Sequence, residues 1–288
     1  MKKSIIENRK ILLLEDGIHD TYLPNVKIFK TETYEPKSPL IYDVCLLLVL
    51  QGKKIANLAS NRFSFDCDNY LVVPTTLPLE CETYATKEEP FLCLIVSLER
   101  EMMVDIIQEL NQRTISHQKP NSMGIFSDKV TEPIENITAK LLDILESKEE
   151  SLILGNGTLK ELFYRIAIGQ NAQILHKMFL EENSESKIAK ALKHIHDNYN
   201  KALDMDSLAR ICDMSISSFH AHFKSITSHT PLQYIKKIRL AKANDLLTKY
   251  GYKVVEVSEA LGYDNASHFS RDFKNYFGYS PKEAKASL

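Results

Sequence analysis

Phe219-His-Ala-His-Phe223-Lys224 and Phe269-Ser-Arg-Asp-Phe273-Lys274 decide how this chain is read, because the second stretch repeats the first at a fixed offset of 50 residues. The same offset carries Pro231 onto Pro281. Upstream it falls to 49, pairing Leu208 with Val257, Ala209 with Ser258 and Met214 with Tyr263, so the second copy has one extra residue in its turn. A module written twice implies a task done twice.

Each copy has the pattern of a helix-turn-helix. Asp204 reads as the cap of a first helix through Leu208 and Ile211, and Ser215 opens a second that runs to Thr227. Thr230-Pro231, a cap followed by proline at the first helical position, starts a long helix reaching about Leu247. The second copy runs from Val254 to Leu261, turns through Gly262-Tyr263-Asp264 and continues from Asn265 to Phe277, after which Ser280-Pro281 repeats the opening device. In such a unit one helix braces on the backbone and the next lays its first turns in the major groove, where every base pair shows a distinct hydrogen-bonding pattern.

Phe219 and Phe223, one turn apart, anchor the first reading helix and leave Ser217, His220 and Ala221 facing outward. Phe269 and Phe273 do the same in the second copy and leave Ala266, Ser267, Ser270 and Arg271 outward. These seven are the expected base contacts. Lys224 and Lys274, at matched positions, are expected at phosphates, although a lysine late in a helix also complements the helix dipole. The outward faces are mostly small, so discrimination is expected to lean on Arg271, whose fork matches guanine, on alanine contacts to thymine methyl groups and on DNA shape. The connecting helix, roughly 25 Å long at ~1.5 Å per residue, is of a size to hold the two heads near the ~34 Å recurrence of the groove.

The remainder of the chain differs in kind. Net charge is −2 over 288 residues, but residues 187–288 hold 16 Lys+Arg against 10 Asp+Glu, which leaves 20 against 28 for the first 186. The basic third is the expected DNA-facing part. From Tyr22 to Leu98 the apolar runs are short and strand-like, around Val44–Leu50, Lys54–Asn57, Arg62–Phe65, Tyr70–Val73, Leu79–Tyr84 and Phe91–Leu98, with prolines at 74, 78 and 90 between them. They predict a small antiparallel barrel or sandwich. Helical spacing follows at Met102–Leu110, Ile134–Leu145, near Leu159–Ile168 and near Ala172–Leu180, with a break over Ser116–Gly124. These helices either lie across the barrel or pair between subunits. The polar stretch Glu181–Ser186 is the expected boundary, giving an N-terminal unit over 1–185 and an all-α unit over 186–288, with Ser186 capping the first helix of the latter.

Neither a secretory segment nor a membrane-length apolar run is read in the chain, so a cytoplasmic protein is expected. Five scattered cysteines without Cys-x-x-Cys spacing support neither a disulfide framework nor a zinc site. Within the strand-rich half, Tyr34, Tyr42, Cys45, Tyr70, Tyr84 and Cys93 are the candidates for lining an effector pocket, with ordinary core and rim as the alternative. Cys45 or Cys93 as an electrophile or oxidant sensor is the less favoured reading, since a thiol buried among apolar residues is inert. His194-x-His196 and His220-x-His222 sit two apart on predicted helices and point to different faces, which makes poor chelators. No phosphate-cradling glycine loop or nucleophile elbow is present, and no catalytic residue, metal or cofactor is expected.

The residues from Leu203 to Ala284, with Leu208-Ala209, Phe219-x-x-x-Phe223-Lys224, Pro231-Leu-x-Tyr234, Gly262-Tyr263 and Phe269-Ser-Arg-x-Phe273-Lys274…Gly278-Tyr-Ser-Pro281, closely resemble the AraC/XylS-type transcription regulators. The N-terminal part resembles the cupin-like sensing domain of one branch of that family, through Cys45-Leu-Leu-Leu-Val-Leu-Gln-Gly-Lys53, Tyr70-Leu-Val-Val-Pro74, Leu77-Pro-Leu79 and Glu89-Pro-Phe-Leu92. The resemblance implies an α+β multidomain fold, with a cupin-like β-barrel and helices ahead of a double helix-turn-helix. It implies a bacterial regulator, by family habit an activator, with double-stranded DNA and RNA polymerase as partners, and a barrel that takes a small effector or forms a homodimer. Enzymatic cupins hold a metal through histidines, whereas no histidine occurs between Tyr22 and Leu98. The alternative from another class is a cupin-type enzyme or small-molecule carrier with a helical partner-binding tail. Where many relatives end in Tyr-Arg after Pro281, this chain has Lys282-Glu-Ala-Lys285, and no contact is carried over there.

Overall fold

The computed structural model describes residue 6 and residues 10–111, 124–179, 184–248, 250–263 and 265–286. The N-terminal half is a ten-stranded antiparallel sheet. Its strands are β1 (Gly17–Asp20), β2 (Val26–Thr31), β3 (Glu35–Tyr42), β4 (Cys45–Gln51), β5 (Lys53–Leu58), β6 (Asn61–Asp66), β7 (Asn69–Val73), β8 (Leu77–Tyr84), β9 (Phe91–Ser97) and β10 (Phe126–Lys129). They lie side by side in the order β1-β2-β9-β4-β7-β6-β5-β8-β3, with β10 paired to β7.

The pleat explains why β4, β7 and β9 read as unbroken apolar runs. Successive side chains alternate between faces, and here both faces are covered. Leu46, Leu48 and Leu50 of β4 join Tyr70, Val72, Leu92, Leu94 and Val96 in a core shared with helices. The intervening Cys45, Leu47 and Val49 join Leu71, Val73, Leu77, Leu79, Cys81, Phe91 and Cys93 in the concave core of the curled sheet. β5 to β9 and β4 match the runs expected from sequence. β1, β2, β3 and β10 were not anticipated. β3 holds two prolines, Pro36 and Pro39, but it ends the sheet and shifts register between Glu35 and Ser38. Edge strands and bulges are where a missing N–H is tolerated.

Four helices cover the outer face: α1 (Arg100–Asn111), α2 (Glu132–Leu145), α3 (Lys148–Ala167) and α4 (Gln173–Phe179). Much of the expected break over Ser116–Gly124 lies outside the described residues. α3 begins eleven residues earlier than the apolar stripe from Leu159 indicated, because its first turns expose Leu152 and Ile153. After α3, Asn171 donates from its amide and its side chain to buried Asp128, at 2.9 and 2.6 Å. Gly169 must be bare there, since a Cβ would stand 2.8 Å from that carboxylate and 2.9 Å from the Tyr70 hydroxyl.

The C-terminal part is helical throughout: α5 (Ser184–Asn198), α6 (Met205–Ile211), α7 (Ile216–Thr227), α8 (Pro231–Thr248), α9 (Val254–Ala260), α10 (Ala266–Phe277) and α11 (Pro281–Ala286). α5 starts at Ser184, ahead of the expected cap Ser186. The first helix-turn-helix, α6 and α7, does not have a core of its own: Leu208, Phe219, Phe223, Tyr234 and Ile238 continue the cluster that begins in the sheet, through Ile188, Leu192 and Ile195 of α5. The second, α9 and α10, closes a separate small cluster of Leu240, Ala243, Leu247, Val257, Leu261, Phe269, Phe273 and Ala284.

Candidate nucleic-acid interface

The repeat seen in the sequence recurs in hydrogen bonds. α7 and α10 each have 12 residues, α6 and α9 each have seven. Ser215 caps α7 by accepting from the Ser218 amide at 3.3 Å, and Asn265 caps α10 by accepting from the His268 amide at 2.7 Å. Both reading helices end on a left-handed residue, Ser228 (φ 59°) and Gly278 (φ 86°), whose N–H donates to the Lys224 or Lys274 carbonyl at 2.8 Å. Both turns pass through a left-handed residue, Asp213 and Gly262. Both following helices open on a reciprocal capping box, Thr230 with Gln233 and Ser280 with Glu283. That box holds the Glu283 carboxyl below its ordinary pKa, because the Ser280 amide and hydroxyl favour its charged form.

The anchors behave as expected. Phe219 and Phe223 are buried edge to face at 5.4 Å, Phe269 and Phe273 at 5.7 Å. With them inside, Ser217, Ala221, Ser267 and Arg271 are exposed, as are Lys224 and Lys274, while His220, Ala266 and Ser270 are half-buried. No member of the set points into a core. Two are less free than periodicity implied: the Ser270 hydroxyl donates back to the Ala266 carbonyl at 2.7 Å, and the His220 ring leans on Phe219.

Sequence reasoning missed two features of α10. His268, in its first turn, is half-exposed and lies 3.9 Å from Asp272. Asp272 is buried and ion-paired to Lys236 of α8 at 2.7 Å, so it fixes the reading helix from behind. The available signal was its place beside Phe273, on the anchored side of the helix.

The two heads are joined by more than α8. Arg239, at the middle of α8, donates from Nε to the Tyr199 carbonyl at 2.7 Å and from Nη2 to the Lys201 carbonyl at 2.9 Å, clamping the α5–α6 loop. The turn of the second unit seats against the same loop, because a Cβ on Gly262 would lie 2.9 Å from the Asn200 carbonyl oxygen. At 18 residues α8 spans ~27 Å. The helical half also bonds to the segments leading into β8 and β10: the Tyr234 hydroxyl donates to the Thr76 carbonyl at 2.7 Å, and the Gly124 amide to the Ile226 carbonyl at 3.3 Å.

The six residues considered for an effector pocket fall in three places. Tyr42, Cys45 and Cys93 meet in the concave core, beside Cys81. Burial pushes the Cys93 thiol up to about 12 and Cys81 to about 11. Burial also raises Cys45, so the thiols are protonated and unreactive at neutral pH. Lys54, unanticipated from sequence, is buried in that core with its ammonium over the Phe29 ring at 4.9 Å. Tyr34 and Tyr84 instead stand exposed on the outer side, their rings edge to face at 5.7 Å, with Tyr34 donating to Glu82. Tyr70 also lies on the outer face, where the helices cover it, beside Asp128. Among the described residues, no group of three His, Cys, Asp or Glu side chains is gathered as for a metal ion, and no helix is long and apolar enough to cross a membrane.

Comparison with known proteins agrees with both halves. Residues 22–174 match the sequence model of the AraC-type transcriptional regulator N-terminus, and residues 208–287 match that of a helix-turn-helix domain. The HTH-type transcriptional activator RhaS of Mannheimia succiniciproducens is 27% identical over 165 residues, 57% of this chain and 59% of its own length. RhaS of Escherichia coli is 27% identical over 149 residues, 51% of this chain and 52% of that protein. The chain thus spans somewhat over half the length of these relatives. Among solved structures, ToxT of Vibrio cholerae in an unsaturated fatty acid-bound form superposes with a TM-score of 0.59 at 11% identity, covering 92% of this chain and 94% of that one. Another ToxT structure gives 0.56 at 11% identity, covering 91% and 98%. These similarities show a shared two-part fold. With more than half of its length matched by the N-terminal family model alone, the chain belongs to the AraC-type transcriptional regulators.

Proposed function

We propose that this chain is a sequence-specific DNA-binding transcription activator, acting in the cytoplasm and without catalytic activity, whose residues 186–288 carry the DNA-binding unit and whose residues 1–185 govern it. Ser217, His220 and Ala221 of the first unit and Ala266, Ser267, Ser270 and Arg271 of the second meet base edges, and Lys224 and Lys274 meet phosphates. The observation that carries this reading is the duplication of the two units, with side-chain caps and left-handed ends at matched positions and the same phenylalanine pair, each leaving one exposed helix face. Activation is supported by the RhaS relatives, which are named as activators, and RNA polymerase is the partner that activation requires. An effector role for the N-terminal half is supported by its likeness in fold to ToxT, which is solved with a bound unsaturated fatty acid. Self-association through this half is the other role open to it.

The test is selection of duplexes by the full chain from a random pool, followed by gel-shift titration of the winner across salt. The account expects a defined sequence, with an affinity that falls steeply as salt rises. Enrichment of no sequence, or binding indifferent to salt, contradicts it.

A further inference from the structure

The second reading helix carries a side-chain arrangement that its twin lacks. His268 stands in the first turn of α10, next to exposed Ser267 and one turn ahead of Arg271 and Asp272. Its ring is held from two sides: Nε2 lies 3.9 Å from Asp272 Oδ2, and the imidazole leans on Tyr263 with ring centroids 5.8 Å apart. Both supports are themselves fixed. The other carboxylate oxygen of buried Asp272 meets the Lys236 ammonium of α8 at 2.7 Å, and the Tyr263 ring packs edge to face on Phe269 at 5.3 Å. The histidine nevertheless keeps half of its side chain in solvent. It is placed, yet open to a partner. At the matched positions of the first unit stand Ser218, His222 and Met214, so that unit has no equivalent.

Its position around the helix decides what it can meet. At about 3.6 residues per turn, exposed Ser267, Arg271 and Lys274 share one face and buried Phe269, Asp272 and Phe273 the other, with His268 on the flank between Arg271 and Asp272. A helix in the major groove turns the middle of its exposed face to base edges and its flanks to the groove walls, which are sugar and phosphate. We propose that His268 is a phosphate contact of the second reading unit that makes DNA affinity depend on pH, the protonated ring binding more tightly than the neutral one. This rests on the reading of α10 as a DNA-reading helix and adds to it a residue and a regulation. A protonated ring brings one more cation to the duplex, as a charge-assisted hydrogen bond, and Asp272 orients it. Among the described residues the groups around the ring are Asp272 and Arg271 on its own helix and Tyr263 from the turn, with Lys236 and Arg239 of α8 behind them. Burial pushes the Tyr263 hydroxyl up to about 12, so it stays neutral. An imidazole, by contrast, changes charge near neutral pH.

The test is gel-shift titration of the full chain on its selected duplex at about pH 6 and about pH 8, each across salt, in the wild type, His268→Gln and His268→Lys. The wild type should bind about fivefold more tightly or better at the lower pH, with a salt slope steeper by about one. His268→Gln should lose most of that difference and bind at both pH values as the wild type does at the higher, with every single-base variant of the duplex affected alike. His268→Lys, a fixed cation, should restore the tighter binding at the higher pH. A wild type indifferent to pH, a pH dependence kept whole in His268→Gln, or a loss confined to one base pair overturns the proposal. These outcomes are read on a duplex the chain has already selected, so they leave the regulator reading standing. A chain that selects no duplex overturns both.

Discussion

The Tyr234 hydroxyl, on the helix that joins the two reading units, donates to the Thr76 carbonyl at the start of β8 across 2.7 Å. Both residues are buried, and burial drives the Tyr234 pKa well up, so the phenol is a donor at any physiological pH. Tyr234→Phe keeps the ring against Phe223 and removes the donor. It should cost about 1–3 kcal/mol, since the Thr76 carbonyl is left buried without this partner. Urea unfolding of the two proteins measures this; equal midpoints would show that the bond contributes nothing to the joint.

Gly262 occupies a left-handed turn (φ +72°) against the Asn200 carbonyl. Gly262→Ala adds a Cβ where only 2.9 Å is open and a conformation that costs an L-residue about 1–2 kcal/mol. The second unit should loosen from the α5–α6 loop, so DNA affinity should fall along with stability. Wild-type affinity for the selected duplex in this variant would mean that the clamp does not set the geometry of the heads.

Arg271 and the paired lysines should separate by kind of loss. Arg271→Ala is expected to remove about 1–3 kcal/mol of preference at one base pair, whereas Lys224→Ala or Lys274→Ala should weaken all duplexes alike and lower the salt slope by about one. A panel of single-base variants of the selected duplex measures both. A uniform loss for Arg271→Ala would remove it from the reading face.

His229 sits where the first unit faces the sheet, near Lys237 and Glu80. Burial, helped by Lys237 and opposed by Glu80, brings it from 6.5 down to about 4. Its folded-state pKa lies below the unfolded one, so between these values the unfolded chain binds more protons, and stability is lost as pH falls. Acidification from neutral pH through that window should therefore destabilise the wild type more than His229→Gln. Parallel stability profiles for the two would refute this assignment.

Legibility in the sequence followed the strength of local signals. The double helix-turn-helix was readable because caps, prolines and phenylalanines recur at one spacing, and the observed helices start within a residue or two of the expected positions. β4, β7 and β9 were readable as apolar runs. β3 was not, because Pro36 and Pro39 mimic a loop and only its edge position reconciles them with a strand. The exposure of Ser217, Ala221, Ser267 and Arg271 followed from the anchors, whereas the role of Asp272 needed its partner Lys236 from 36 residues earlier. The tyrosines were harder: period two tells that neighbours face apart but not which face curls inward. Tyr84 was nonetheless readable, since it is in phase with Glu80 and Glu82 on the wet side of β8.

Hydroxyl-radical footprinting of the full chain on its selected duplex, with stoichiometry measured on the same complex, bears most directly on the coupled heads. One chain per site should protect two windows about one helical turn (~34 Å) apart on the same face of the DNA. A single protected window per chain, or two windows that appear only when a second chain binds, would contradict the account.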